Sequence, residues 1–167
     1  GLLFNAVCKI PMQFCILMLG VLMFVFYQFE QPPLFFDSSA NKYVETHRAD
    51  PIVGPRIQSY ETNFNAAHTD AKQHLESWLK AKHSGDESTA SAEFVGAAKA
   101  QQESEKIRLV AAQELAAENL ETKSDKAVTA NSADYVFITF ILRELPHGAI
   151  GLLVAAFFAA ALSSKAA

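Results

Sequence analysis

The chain has 167 residues, half of them hydrophobic and 19% charged, with a formal charge of −4. The charge is segregated: 17 acids and 11 bases lie between Glu30 and Asp134, and the two flanks hold only Lys9, Arg143, Glu144 and Lys165. Two apolar ends around a long acidic middle exclude a single soluble globule, a disulfide-rich secreted module and a basic nucleic-acid binder. Cys8 and Cys15 sit in the first apolar stretch and read as small apolar fillers. The first residue is glycine and the last residues stop within an apolar helical pattern, which reads as an internal piece of a longer membrane protein.

Ile10 to Phe29 is a run of 20 residues without a charge. As a helix it matches the roughly 30 Å hydrocarbon core of a bilayer. A cleaved signal peptide is the competing reading, but the residues after the run are neither small nor Ala-rich. Pro32-Pro33 ends the helix, because neither residue donates to the ladder. Asp37 to Pro55 then reads as irregular surface chain, with turn signals at Asp50-Pro51 and Gly54-Pro55.

Arg56 to Lys82 carries an apolar stripe at Ile57, Tyr60, Phe64, Ala67, Ala71, Leu75 and Trp78, a helical spacing. His83-Ser84-Gly85-Asp86 breaks it, with Gly85 suited to a left-handed cap. Ser88 to Thr122 is rich in Ala, Glu, Gln and Lys and predicts a second helix, its seam at Phe94, Ala98, Ile107, Val110, Leu115 and Leu120. The two are expected to fold back as an antiparallel hairpin outside the membrane; a solvated helical linker is the alternative. Thr122 to Ala133 is polar and small, a loop.

Tyr135 to Leu142 is strongly apolar but only 8 residues long. A helix of about 12 Å is too short to span, so a re-entrant or interfacial piece is expected. Ala149 to Leu162 is apolar again, with Gly151, Ala155, Ala159 and Ser163 at steps of four. Such a line of small side chains lets another membrane helix approach closely. The expected segments are therefore a membrane helix over 1–29, an outer loop over 30–134 with helices near 56–82 and 88–122, a short outer helix over 135–147, and a second membrane helix over 148–167.

Two sets of residues carry candidate chemistry. Lys9 lies inside an extended apolar run, where an ammonium faces a cavity or a partner. The alternative is a lysine at the bilayer edge that snorkels to the headgroups. Ser163 and Ser164 follow Ala160 by three and four residues, so the Ala160 carbonyl shares their helix face. Hydroxyls and carbonyls together make a neutral oxygen cage for a sodium ion, against the plainer reading of serines bonded back to their own helix. The histidines are scattered; His68 and His74 are not at metal-pair spacing and read as surface residues. No CxxC, phosphate loop or nucleophile motif is present, so no enzyme is expected.

GLLFNAVCKIPMQFCILMLGVLMFVFYQF followed by QPPLFF resembles a core helix of the sodium:solute symporter family, which includes the sodium/glucose transporters. YVFITFILRELPHGAIGLLVAAFFAAALSSKAA resembles the family stretch in which an external hairpin ends in Glu-Leu-x-Pro-x-Gly and leads into the sodium-site helix. The two matches stand in family order and cover about 62 residues. The resemblance implies an all-α membrane protein, a fragment of an inverted-repeat, broken-helix transporter with an extramembrane helical hairpin inserted. It implies sodium ligation by the Ala160 carbonyl and the Ser163 and Ser164 hydroxyls, and a substrate-side role for Lys9. Pro11, two residues after that lysine, departs from the spacing of the sugar transporters, and the outer segment is much longer than theirs.

Expected from this is sodium-coupled symport of a small polar solute by alternating access in a multi-pass protein of the cell membrane. Its partners are the solute, Na⁺ and the lipid bilayer, with no nucleic acid and no cofactor beyond the coupling ion. The competing reading is a two-pass membrane receptor with a helical external sensor domain.

Overall fold

The computed structural model describes residues 2–121 and 133–165, which form six helices and no strand. The chain divides into two units, Gly1–Ala130 and Asn131–Ala167. Of the loop expected over Thr122 to Ala133, residues 122–132 lie outside the described residues, and Ala133 already belongs to the helix that follows.

In the first unit a helix of 28 residues, α1, covers Leu2–Phe29. It runs unbroken past Pro11, although proline removes one ladder bond at that point. Among the described residues it is the one helix long and apolar enough to cross a bilayer, over Lys9–Phe29. Its large side chains are exposed nearly all round, from Val7 to Val25, while Met23 is buried. An apolar surface on every side of a helix marks one surrounded by lipid or by other helices.

The stretch from Asp37 to Pro55 corrects the expectation of irregular chain. A helix of ten residues, α2, occupies Ser38–His47. Asp37 opens it, accepting the Ser39 N–H at 2.9 Å as an N-cap carboxylate does. The Asn41 amide ties its first turn back to the Phe35 carbonyl at 2.8 Å. Ala40, Tyr43 and Val44 are buried, so the helix supplies a layer of the core.

Two long helices follow, α3 over Val53–Ser84 and α4 over Glu87–Glu121, of 32 and 35 residues. Asp50 starts α3 by accepting the N–H groups of Ile52 and Val53 at 2.8 and 3.0 Å. Gly85 ends it in the left-handed conformation, φ +78°, where L side chains are strained. Asp86 then caps α4, accepting the Thr89 N–H at 3.0 Å.

α3 and α4 pack along their length as an antiparallel coiled coil. On α3 the buried residues Ile57, Phe64 and Ala71 recur every seventh position; on α4 Ala90, Ala97, Ser104 and Ala111 do the same. The register shows in Arg56 against Glu114, Arg108 against Phe64, His74 against Glu93 and Trp78 against Phe94. The expected seam on α4 holds in part: Leu115 is buried and Ile107 packs on the core, whereas Phe94, Ala98 and Val110 are exposed and toward the tip the helix buries other alanines instead; the Leu120 side chain lies outside the described residues. Small residues at the seam draw the backbones together, so large ones are displaced to the flanks. Leu34, Phe35, α2 and the open end of the hairpin share one core with Ile57, Phe64 and Leu115.

The second unit holds α5 over Ala133–Glu144 and α6 over His147–Lys165, of 12 and 19 residues. α5 is about 18 Å long and α6 about 28 Å. Leu145-Pro146 separates them, and the Pro146 carbonyl accepts the N–H groups of Ala149 and Ile150 to open α6.

Candidate functional site

Lys9 projects from α1 as an exposed residue, two positions before Pro11. Ala160, Ser163 and Ser164 belong to the final turns of α6, in the other unit, and their side chains lie outside the described residues. On the α6 backbone the three positions fall within little more than one turn.

The best-defined polar constellation is one the sequence did not announce. It joins the end of α1 to one flank of the hairpin. The chain leaves α1 through Pro32-Pro33 and lays its backbone against α4. There the buried Arg108 donates from Nε to the Leu34 carbonyl at 2.9 Å and from Nη2 to the Pro33 carbonyl at 3.3 Å. The Pro33 and Leu34 carbonyls lie in non-helical chain after α1, and Arg108 supplies them with donors. The Arg108 guanidinium also sits 5.2 Å from the Phe36 ring and 4.8 Å from the Phe64 ring, a cation held between two π-faces. Burial pushes its pKa down, and the Glu105 carboxylate at 2.7 Å opposes that and keeps the charge paired.

His68 makes the second tie. It is buried, which corrects its reading as a surface residue. Its Nε2 donates to the Tyr27 carbonyl at 2.9 Å. That carbonyl belongs to the last turn of α1, where the helix lacks its own donors. A side-chain donor at a helix C-terminus also opposes the negative end of the dipole. Gln31 to Asn65, at 2.8 Å, and the edge-on packing of Tyr27 against Phe36 complete the join.

The opposite flank of the hairpin is a row of charges. Arg56 and the Tyr60 hydroxyl both donate to the Glu114 carboxylate. These two bonds hold the Glu114 carboxyl below its ordinary range, while burial and then the Glu114 bond push the Tyr60 phenol up. Further along, His74 Nδ1 meets Glu93 at 2.6 Å with Asp70 on its other side at 3.9 Å. The ring lies so close over Gly96 that a Cβ there would stand 2.7 Å from Nδ1. His74 is thus half-buried in a polar cluster rather than a free surface residue. Among the described residues no group of three His, Cys, Asp or Glu is arranged to hold a metal ion.

Nothing in the sequence singles out Arg108, because the carbonyls it satisfies belong to Pro33 and Leu34, far from it along the chain. His68 gives no sign either, since its burial is created by the end of α1 arriving against α3. The chain matches no protein-family model, no curated protein and no solved structure.

Proposed function

We propose that the chain is part of a sodium-coupled symporter of a small polar solute, working by alternating access in a multi-pass membrane protein. The observation that carries the reading is the order of motifs in the last 35 residues or so. Arg143-Glu144-Leu145-Pro146-His147-Gly148 leads into a helix with small residues every fourth position, which ends in Ala160-x-x-Ser163-Ser164. Helical geometry supports it, since α6 continues as one helix through Ser163 and Ser164 to Lys165. A hydroxyl from each serine and the Ala160 carbonyl then offer neutral oxygens to a hard monovalent cation. α1 supports the membrane setting by its length and by its apolar surface on all sides. Lys9, within that helix, is the substrate-side residue.

The sodium gradient supplies the driving force. One elementary charge moved through the membrane potential is worth about 2.3 kcal/mol per 100 mV. The test is solute uptake by the protein in vesicles, with and without a sodium gradient. Ser164→Ala removes one ion ligand and should raise the sodium concentration for half-maximal uptake by roughly tenfold, the equivalent of about 1.4 kcal/mol. Uptake that ignores both sodium and the substitution refutes the proposal.

One observation favours a second reading, a two-pass receptor with an outer helical sensor. The hairpin is tied to the end of α1 through Arg108 and His68, as a lever on a membrane helix would be. Sodium-driven uptake separates the two readings, because a receptor moves no solute.

A further inference from the structure

Before Gln28, α1 holds only three amide or charged residues, and they are spaced by four: Asn5, Lys9 and Gln13. Steps of four on an α-helix drift by about 40°, so the three positions share one sector of the helix, about 80° wide and about 12 Å long. Val7, Ile10, Phe14 and Leu17 fall outside that sector, apolar and exposed. Lys9 and Gln13 are exposed as well, and nothing among the described residues bonds to either.

A lysine alone at the end of a span reaches the headgroups along its own stem. Gln13 has no such stem. It lies one turn inside the segment Lys9–Phe29 that is long and apolar enough to span, and an amide at that depth requires hydrogen-bond partners. The sector therefore faces a polar space rather than lipid. What it offers there is mostly donors: three N–H groups on the Lys9 ammonium, which has no acceptor, and the Gln13 amide. Neither Leu2–Phe29 nor residues 145–164 contain an Asp or a Glu, so the two apolar segments bring no carboxylate of their own to neutralise Lys9. An ammonium in a low-dielectric setting without a counter-charge is costly. A carrier that takes up Na⁺ with its solute adds another positive charge to the loaded state. A neutral solute leaves both charges uncompensated, whereas an anionic solute offsets one of them.

We infer that the Lys9–Gln13 face of α1 binds a carboxylate on the solute, with the Lys9 ammonium as its counter-charge and the Gln13 amide as a second donor. The solute is then a small organic acid rather than a sugar or another neutral molecule. Asn5, one turn toward the start of α1, continues the same face. This rests on the symport reading above and narrows its solute to an anion.

The test presents the protein, in vesicles with an inward sodium gradient, with an equimolar mixture of carboxylates (lactate, gluconate, glucuronate) and neutral solutes (lactamide, glucose, inositol). Mass spectrometry of the vesicle contents reads which of them accumulate. Sodium should drive the accumulation of a carboxylate and of no neutral solute. Lys9→Gln should cut that uptake by roughly thirtyfold or more, and Lys9→Arg, which keeps the charge, should retain part of it. Gln13→Leu should raise KM for the acid by roughly tenfold at an unchanged maximal rate; a purely structural role for Gln13 lowers the rate and leaves KM alone. Sodium-driven accumulation of a neutral solute in preference to the acids overturns the inference and leaves the symport reading standing. Uptake of an acid that is indifferent to Lys9→Gln overturns it too. If sodium drives no accumulation of any solute, the symport reading itself fails and the inference falls with it.

Discussion

The open and closed halves of the hairpin are held together by different means. Toward the open end the core contains Ile57, Phe64 and Leu115, together with Leu34, Phe35 and α2 from outside the coil. Toward the tip the buried residues are alanines, Ala71 and Ala81 on α3 and Ala90, Ala97 and Ala100 on α4. The first half depends on bulk contributed by three segments of chain. The second depends on two backbones approaching closely enough that small side chains fill the space. Removal of volume should therefore damage the open half, and addition of volume the tip.

Phe64→Ala is the most damaging change to expect. The ring is 1% exposed and lies under the Arg108 guanidinium. Its loss leaves a cavity and deprives the buried cation of one π-face, so about 3–5 kcal/mol of stability should go. Helix content followed by circular dichroism against denaturant, with the protein in detergent, reads the shift. A loss below about 1 kcal/mol would mean that the open half is not held by its bulk.

At the tip the corresponding change runs the other way. Ala71→Leu inserts a branched side chain where Ala71 is 5% exposed on the seam. Overpacking of this kind costs about 1–3 kcal/mol. A gain in stability from the same substitution would show a loose tip and remove the contrast between the halves.

Much of this architecture was legible in the residues. The ends of α3 and α4 followed from good helix formers interrupted by His83-Ser84-Gly85-Asp86. The α3 stripe from Ile57 to Trp78 followed from its spacing. The α4 seam followed only at Ile107 and Leu115, because a search for large apolar residues also finds Phe94 and Val110 and passes over Ala90, Ala97, Ser104 and Ala111. A heptad of small residues has almost no hydrophobic contrast with an alanine-rich helix surface. α2 was readable in principle, since Asp37 followed by Ser38-Ser39-Ala40 is an N-cap before a helical turn. The polar turn signals after it outweighed that cue. His68 reads as a surface residue and Arg108 carries no mark in the sequence, because their burial is made by segments distant in sequence: Leu34 and Arg108 are 74 positions apart. The serine pair was legible as a motif, whereas any ion-sized gap beside it depends on helices that meet it in space.

The smallest effect bears on the tip alone and concerns how its two helices are joined. Asp86 accepts from both the Thr89 hydroxyl and the Thr89 N–H, and these bonds hold its carboxyl below the ordinary value. A carboxylate at the first turn of α4 also faces the positive end of the helix dipole. Because the folded pKa is the lower one, the stabilisation is complete above the unfolded value of about 4 and disappears as pH falls through the folded one. Asp86→Asn keeps a neutral cap of similar shape and has no such titration. The stability difference between the two proteins should therefore be constant from neutral pH down to about pH 5 and shrink below pH 4. Denaturant midpoints measured along that pH series test it. A difference unchanged at low pH would show that the cap acts through shape alone, and that charge plays no part in joining α3 to α4.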